Sequence, residues 1–170
     1  MLKMVGDLLK SPPHGPVLTD TGALSRYRNA PPMAIAHKNK TLATLLALLL
    51  GSVGAHRFYL RGRRDRWALL HLASVPVALL IGAAAPGLDW YFKILPIVLS
   101  FLLACLEGLV LGLMPDERWD ARFNPAAARP SVSGWPLALL LVVTLMVGAG
   151  VLIATMARLF DLLYTGGRYG

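Results

Sequence analysis

Glu107 is a carboxylate inside a long apolar run, seven residues before Met114 in the segment Trp90–Met114. At 1.5 Å of rise per residue it lies about 10 Å inside the helix end. An ionised carboxylate at that depth costs several kcal/mol unless it is paired or hydrated. Arg57 is the candidate partner, because the turn that carries it borders the first apolar segment, and His56 beside it can share the site. The expected chemistry is therefore a structural ion pair that docks the turn onto the acidic helix. A proton or ion relay through Glu107, His56 and His71 is the alternative, since intramembrane ionisable residues are functional candidates by default. The chain has no repeat and no broken-helix pair to build a longer pathway.

Signals for catalysis are absent from the sequence. It holds no HExxH, no Cys/His ligand spacing and no Gly-rich phosphate loop after a strand. Ser52 and His56 are four apart but have no orienting acid nearby in sequence, so they do not form a nucleophile–base unit. Cys105 is the single cysteine and lies in an apolar run, which excludes an intrachain disulfide and a thiolate metal site. No catalytic residue, resident metal or cofactor is expected, and the chain does not read as an enzyme.

The elements that must position these residues are membrane helices. Of the 170 residues 56% are hydrophobic and only 15% charged, against about 25% charged in soluble domains, and the mean hydropathy is +0.58. Four apolar segments, Thr41–Ala55, Trp67–Ala85, Trp90–Met114 and Trp135–Phe160, predict an all-α, polytopic helical bundle. The last three reach the roughly 20 residues that a crossing needs. The first, at fifteen residues, rises about 22 Å. It either crosses, with Phe58, Tyr59 and Leu60 completing it, or dips in and returns. Charge bias favours the return, but irregular backbone inside a bilayer needs protein around it. Four crossings with the Arg-rich loop inside is the working expectation.

Two ridges of small residues recur at helical spacing, Ala43, Ala47, Gly51 and Ala55 in one segment and Ala104, Gly108 and Gly112 in another. Lipid offers no hydrophobic drive between helices, so close backbone approach through small side chains marks helix contacts, within the chain or between copies.

The net charge of +8 does not indicate nucleic acid, since the basic residues form no aromatic-interleaved face. Lys38 and Lys40 precede the first segment, and Arg57, Arg61, Arg63, Arg64 and Arg66 follow it. This is the pattern of cytoplasmic loops, where Arg61, Arg63, Arg64 and Arg66 meet anionic headgroups. Trp67, Trp90, Tyr91 and Trp135 stand at segment ends as headgroup anchors, and Pro76 is expected to kink its helix. Trp119 and Phe123 share one face of a short helix expected at the membrane boundary, with Arg118 and Arg122 in the neighbouring row. Residues 1–40 form a polar, Pro-rich basic tail, whose first ten residues have the pattern of a short amphipathic helix without a cleavable signal. A membrane domain over 41–125 follows, then a linker and a further transmembrane helix over 126–170.

The stretch Gly51-Ser-Val-Gly-Ala-His-Arg-Phe-Tyr-Leu60 resembles the signature turn of the TM-two domain family, with the family's final glycine displaced to Gly62. Downstream, Glu107-Gly108 followed by Met114-Pro-Asp116 and by Trp119, Phe123 and Asn124 resembles the acidic helix and exit of bacterial members. The two motifs cover roughly residues 38–125. The chain departs from the family in having two apolar stretches between the motifs and an extra C-terminal helix.

The resemblance implies an integral membrane protein without a catalytic site, and His56, Arg57, Phe58 and Tyr59 as the structural centre of the turn. The expected function is a scaffold or accessory module that binds partner proteins or itself within the membrane. A small transporter or channel component using Glu107 and the histidines is the alternative. A Leu/Ala/Arg-rich composition points to a bacterial inner membrane.

Overall fold

The computed structural model describes residues 37–125 and 129–168, all within one compact unit, Ala36–Gly170. The tail read over residues 1–40 therefore lies almost wholly outside the described residues. No strand occurs among those described.

Helix α1 spans Lys40–Leu50 and starts where the Asn39 side chain accepts from the amides of Thr41 (2.8 Å) and Leu42 (3.3 Å). Such a cap satisfies two of the donors that a helix start leaves open. A single 3-10 turn, Gly51–Val53, follows, and then the short helix α2, Ala55–Arg61. Between them Gly54 has φ +76, and a Cβ there would meet the Ala68 carbonyl oxygen at 2.9 Å. The position thus requires glycine both for its left-handed backbone and for the close approach of the next helix.

The first apolar segment does not cross. Helix α1 has 11 residues, a rise of about 16 Å, half of a hydrocarbon core of about 30 Å. The chain then comes back: the Lys38 ammonium donates to the carbonyl of Leu60, and the Asn39 amide donates to the Tyr59 hydroxyl at 2.8 Å. Lys38 and Leu60, at the two mouths of the segment, are thus neighbours, and the expectation of four crossings gives way to a re-entrant hairpin plus three long helices. The irregular turn is enclosed by protein. The carbonyl of Ser52 accepts from Ser100 Oγ at 2.8 Å and from Ser74 Oγ at 3.3 Å, which supplies the bonds that lipid cannot.

Among the described residues three helices are long and apolar enough to span: α3, Arg66–Ala84; α4, Trp90–Leu113; and α6, Trp135–Thr165. Helix α3 is capped by Asp65, and α4 by Asp89 on the Tyr91 amide at 2.8 Å. Pro76 lies inside α3, which runs unbroken through it from Arg66 to Ala84. Helix α6 begins with Pro136 in its first turn and ends at Gly166, φ +70. At 31 residues it is about 46 Å long, longer than the hydrocarbon. A short helix α5, Asp116–Phe123, joins α4 to the loop before α6.

The small-residue ridges pack α1 and its turn against α4. A Cβ on Gly51 would overlap that of Ala104, and one on Gly108 would lie 3.0 Å from Ala47 Cβ. Ala43, Ala47 and Ala104 are fully buried. Gly112 extends the contact to α6, since a Cβ there would meet Leu141 at 2.5 Å. Ala55, in the first turn of α2, is only half-buried. Of the two options for these ridges, within the chain or between copies, the packing found is internal.

Chain direction puts Lys38, Lys40, the Arg61–Arg66 loop and α5 at one end of the bundle. The turn Pro86–Asp89 and the last residues of α6 lie at the other, tied by Arg158 to Asp89 at 3.2 Å and by the Tyr91 hydroxyl to Thr155 at 2.8 Å. Trp67, Trp90 and Trp135 are exposed at helix ends.

Candidate functional site

The polar centre of the bundle forms where α2 returns alongside α4. Because the hairpin reverses at Gly54, the first turn of α2 points His56 and Arg57 at the middle of α4, and Glu107 receives both. Arg57 donates through Nε to Glu107 Oε2 at 2.5 Å and through Nη2 to Oε1, a two-pronged guanidinium–carboxylate pair. Its remaining nitrogen, Nη1, reaches Asp65 Oδ2 at 3.3 Å, and the guanidinium lies 5.7 Å from the Trp67 ring centroid. His56 Nε2 is 2.7 Å from Glu107 Oε2 and donates to it. The His56 ring is 0% exposed, and its Nδ1 has no hydrogen-bond partner among the described residues.

His71 and Ser100 complete the cluster, and residue types alone give neither a role in the pair. The Ser100 hydroxyl donates to the Ser52 carbonyl, so its proton is committed and it accepts from His71 Nδ1 at 2.7 Å. His71 Nε2 then faces Glu107 Oε2, 3.8 Å away. The two histidine rings meet edge to face at 5.7 Å. The sequence signal for this role is slight: Ser74 and Ser100 interrupt apolar helices.

Nitrogen and oxygen atoms of His56, His71 and Glu107 lie within 4.8 Å of one another, as ligands of a metal would. Arg57 decides against that use. Its guanidinium already bonds Oε2, the oxygen shared by the histidines, and a cation there would face a fixed positive charge at short range. The cluster is built as an ion pair braced by histidine.

A second polar clasp holds the mouth of the hairpin. Lys40, 6% exposed, donates to the Met114 carbonyl at 2.6 Å, to Ser133 Oγ at 3.0 Å and to the Asp116 carboxylate. The Lys40 ammonium and then the Ser133 hydroxyl hold the Asp116 carboxyl down at about 2. Asn124 accepts from the Lys38 amide at 2.8 Å, and the Trp119 indole donates to the Lys38 carbonyl at 3.1 Å. Ser131 donates from both hydroxyl and amide to Asp120, whose carboxyl is lowered by those bonds. Lys38 and Lys40, loop charges by their place in the sequence, are thus structural donors.

Trp119 and Phe123 also turn inward rather than toward a membrane boundary. Trp119 is 0% exposed, and both rings pack with Ala43 and Leu60 in one core cluster, bordered by Tyr59, Leu111 and Met114. Phe58 is half-buried, and Arg63, Arg64 and Arg66 are exposed, as is Arg61. Cys105 is buried, and a Cβ on Gly148 of α6 would lie 3.2 Å from its own Cβ.

Comparison with curated proteins and with solved structures finds no match. A family model described as the TM2 domain matches residues 36–83. The match covers α1, the turn, α2 and nearly all of α3, whereas the acidic helix with Glu107 lies beyond it. The hairpin with its His56-Arg57-Phe58-Tyr59-Leu60 turn and the helix that follows are accordingly the part of this membrane protein that matches the TM2 domain.

Proposed function

We propose that the chain is a non-catalytic scaffold or accessory module that binds partner proteins, or a second copy of itself, within a membrane. The observation that supports it most directly is the closure of the intramembrane charge: Glu107 is bonded by Arg57 and His56, and Arg57 is further held by Asp65. Groups so engaged brace a fold. They leave little to carry a solute.

The ridges centred on Gly51 and Gly108 are consumed inside the bundle, so they are not the partner surface. The outward face of α6 offers a better one. Gly150 has open space where a Cβ would be, and Ala154 and Ala157 are exposed along the same helix. Basic residues concentrated at the end bearing Arg61, Arg63, Arg64 and Arg66 favour a cytoplasmic position for that end and contact with anionic headgroups there. A bacterial inner membrane fits the composition. The deciding experiment is gentle extraction of the tagged protein with mass spectrometry of what accompanies it. A stoichiometric partner supports the module, and a lone monomer removes the proposal.

A small transporter is the second reading, and two observations favour it. The His56 Nδ1 is buried and unpartnered among the described residues, and His71 Nε2 faces Glu107 at 3.8 Å. Proton or cation flux into liposomes that Glu107→Gln abolishes would establish it over the module.

A further inference from the structure

Between α2, α4 and α5, at the end of the bundle that carries the Arg-rich loop, a cavity of about 240 Å³ opens outward. Its walls divide by chemistry. Arg57, Arg61, Arg122 and Glu107 line it together with the apolar Leu60 and Phe123, and Leu106 and Val110 line it from α4.

The three arginines differ in what they have left to offer. Arg57 is engaged by Glu107 and Asp65. Arg61 is 43% exposed and lies 3.8 Å from Asp65 Oδ2, the oxygen that Arg57 also meets. Arg122 lies 5.7 Å from the Phe123 ring centroid and pairs with no carboxylate among the described residues. Three guanidinium groups against the carboxylates of Glu107 and Asp65 leave one positive charge uncompensated at the cavity.

The apolar exit has a direction. Leu103, Leu106, Val110 and Leu113 follow one another at three- and four-residue steps, which places them on one face of α4. All four are half or more exposed. A basic cavity at a bundle end, continued by a bare leucine and valine stripe along a spanning helix, has the two-part chemistry of an amphiphile. Its volume is below the roughly 300–1,000 Å³ of sites that enclose a whole drug-sized ligand, so it suits a headgroup with its chains outside.

We propose that this groove binds one anionic glycerophospholipid, its phosphodiester held by Arg61 and Arg122 and an acyl chain lying along Leu103, Leu106, Val110 and Leu113. One phosphodiester neutralises the one uncompensated charge, and planar guanidinium groups bind phosphate oxygens in pairs. This rests on the membrane reading of the chain and narrows the diffuse attraction of the whole Arg-rich loop to a single site.

The test uses the full chain in mild detergent, titrated with phosphatidylglycerol or phosphatidylcholine, with bound lipid counted by native mass spectrometry. The wild type and the double variant Arg63→Gln/Arg64→Gln are expected to hold one phosphatidylglycerol and to release phosphatidylcholine. Arg61→Gln/Arg122→Gln is expected to bind phosphatidylglycerol at least about tenfold more weakly. Val110→Trp, which blocks the acyl track on a lipid-facing surface, is expected to lose the lipid as well, and it serves if the arginine variant does not fold. Equal losses in the two arginine pairs would leave only the diffuse attraction and overturn the groove. Equal retention of phosphatidylcholine, unchanged binding in Arg61→Gln/Arg122→Gln or Val110→Trp, or displacement by inorganic phosphate alone would overturn it too.

Discussion

Arg57 and Glu107, fifty residues apart in the chain, meet through two nitrogens and two oxygens, with Nε 2.5 Å from Oε2. The pair joins the returning arm of a half-membrane hairpin to the middle of a spanning helix. Glu107→Gln leaves the half-buried Arg57 guanidinium with Asp65 as its carboxylate, and Arg57→Gln leaves the half-buried Glu107 carboxylate with histidine alone. Each change is expected to cost about 3–5 kcal/mol. Combined, they should cost less than the sum by about 0.5–3 kcal/mol. Thermal unfolding of the two single variants and the double variant in one detergent measures this, and strict additivity would remove the pair as a structural element.

Acid should loosen the mouth of the hairpin. Asp116 has its carboxyl lowered from 3.8 to about 2 by the Lys40 ammonium and the Ser133 hydroxyl. A lowered carboxyl contributes stability that is fully present above the unfolded value and is lost as pH falls through the folded one. Stability is therefore expected to be level above about pH 4 and to decline from there to about pH 2. Asp116→Asn should flatten that part of the profile. A wild-type and variant pair with superimposable acid limbs would show that the Lys40 clasp contributes nothing.

The turn should tolerate no side chain at Gly54. Its φ of +76 acts together with the Ala68 carbonyl oxygen, 2.9 Å from where a methyl group would sit, so Gly54→Ala should destabilise by about 1–3 kcal/mol. Gly51→Leu should be worse, because Ala104 occupies the space. Gly62, with φ +80 but open space around it, separates the two causes: Gly62→Ala should show backbone strain alone and the smallest loss. A melting temperature for Gly54→Ala equal to that of wild type would refute the close approach of α2 and α3.

Sidedness is open to chemical labelling. In a Cys105→Ala background, His37→Cys and Arg64→Cys, one on each side of the first segment, should react with an impermeant thiol reagent from the same face of sealed vesicles. Gly87→Cys should react only from the opposite face. Labelling of His37→Cys and Arg64→Cys from different faces would restore a full crossing for the first segment.

Much of this architecture is legible in residue types. The three long helices follow from the apolar runs themselves, and the ridges follow from glycine and alanine at four-residue spacing. The proximity of Arg57 to Glu107 follows from the cost of an intramembrane carboxylate. The path of the first segment is not legible, because fifteen apolar residues fit a tilted crossing extended by Phe58–Leu60 as well as a hairpin. The deciding bonds, from Lys38 to Leu60 and from Ser100 to the Ser52 carbonyl, join distant residues whose identities are ordinary one at a time. Trp119 and Phe123 depart from expectation for a related reason. An amphipathic face of two aromatics suits a lipid boundary and a protein cavity equally, and only the returning hairpin supplies the cavity.

The hairpin also imposes an order on biogenesis. His56 and Arg57 leave the ribosome about fifty residues ahead of Glu107, the carboxylate that accepts from both. Until α4 is synthesised, α2 carries a guanidinium that has Asp65 but not Glu107, and a turn whose Ser52 carbonyl still lacks the Ser100 hydroxyl. Such a segment has no stable place in hydrocarbon. The nascent hairpin must then wait at the membrane surface or in the lateral gate of the insertion machinery and slide in beside α4 afterwards. A chain released before residue 107 would strand it there as a target for quality-control proteolysis.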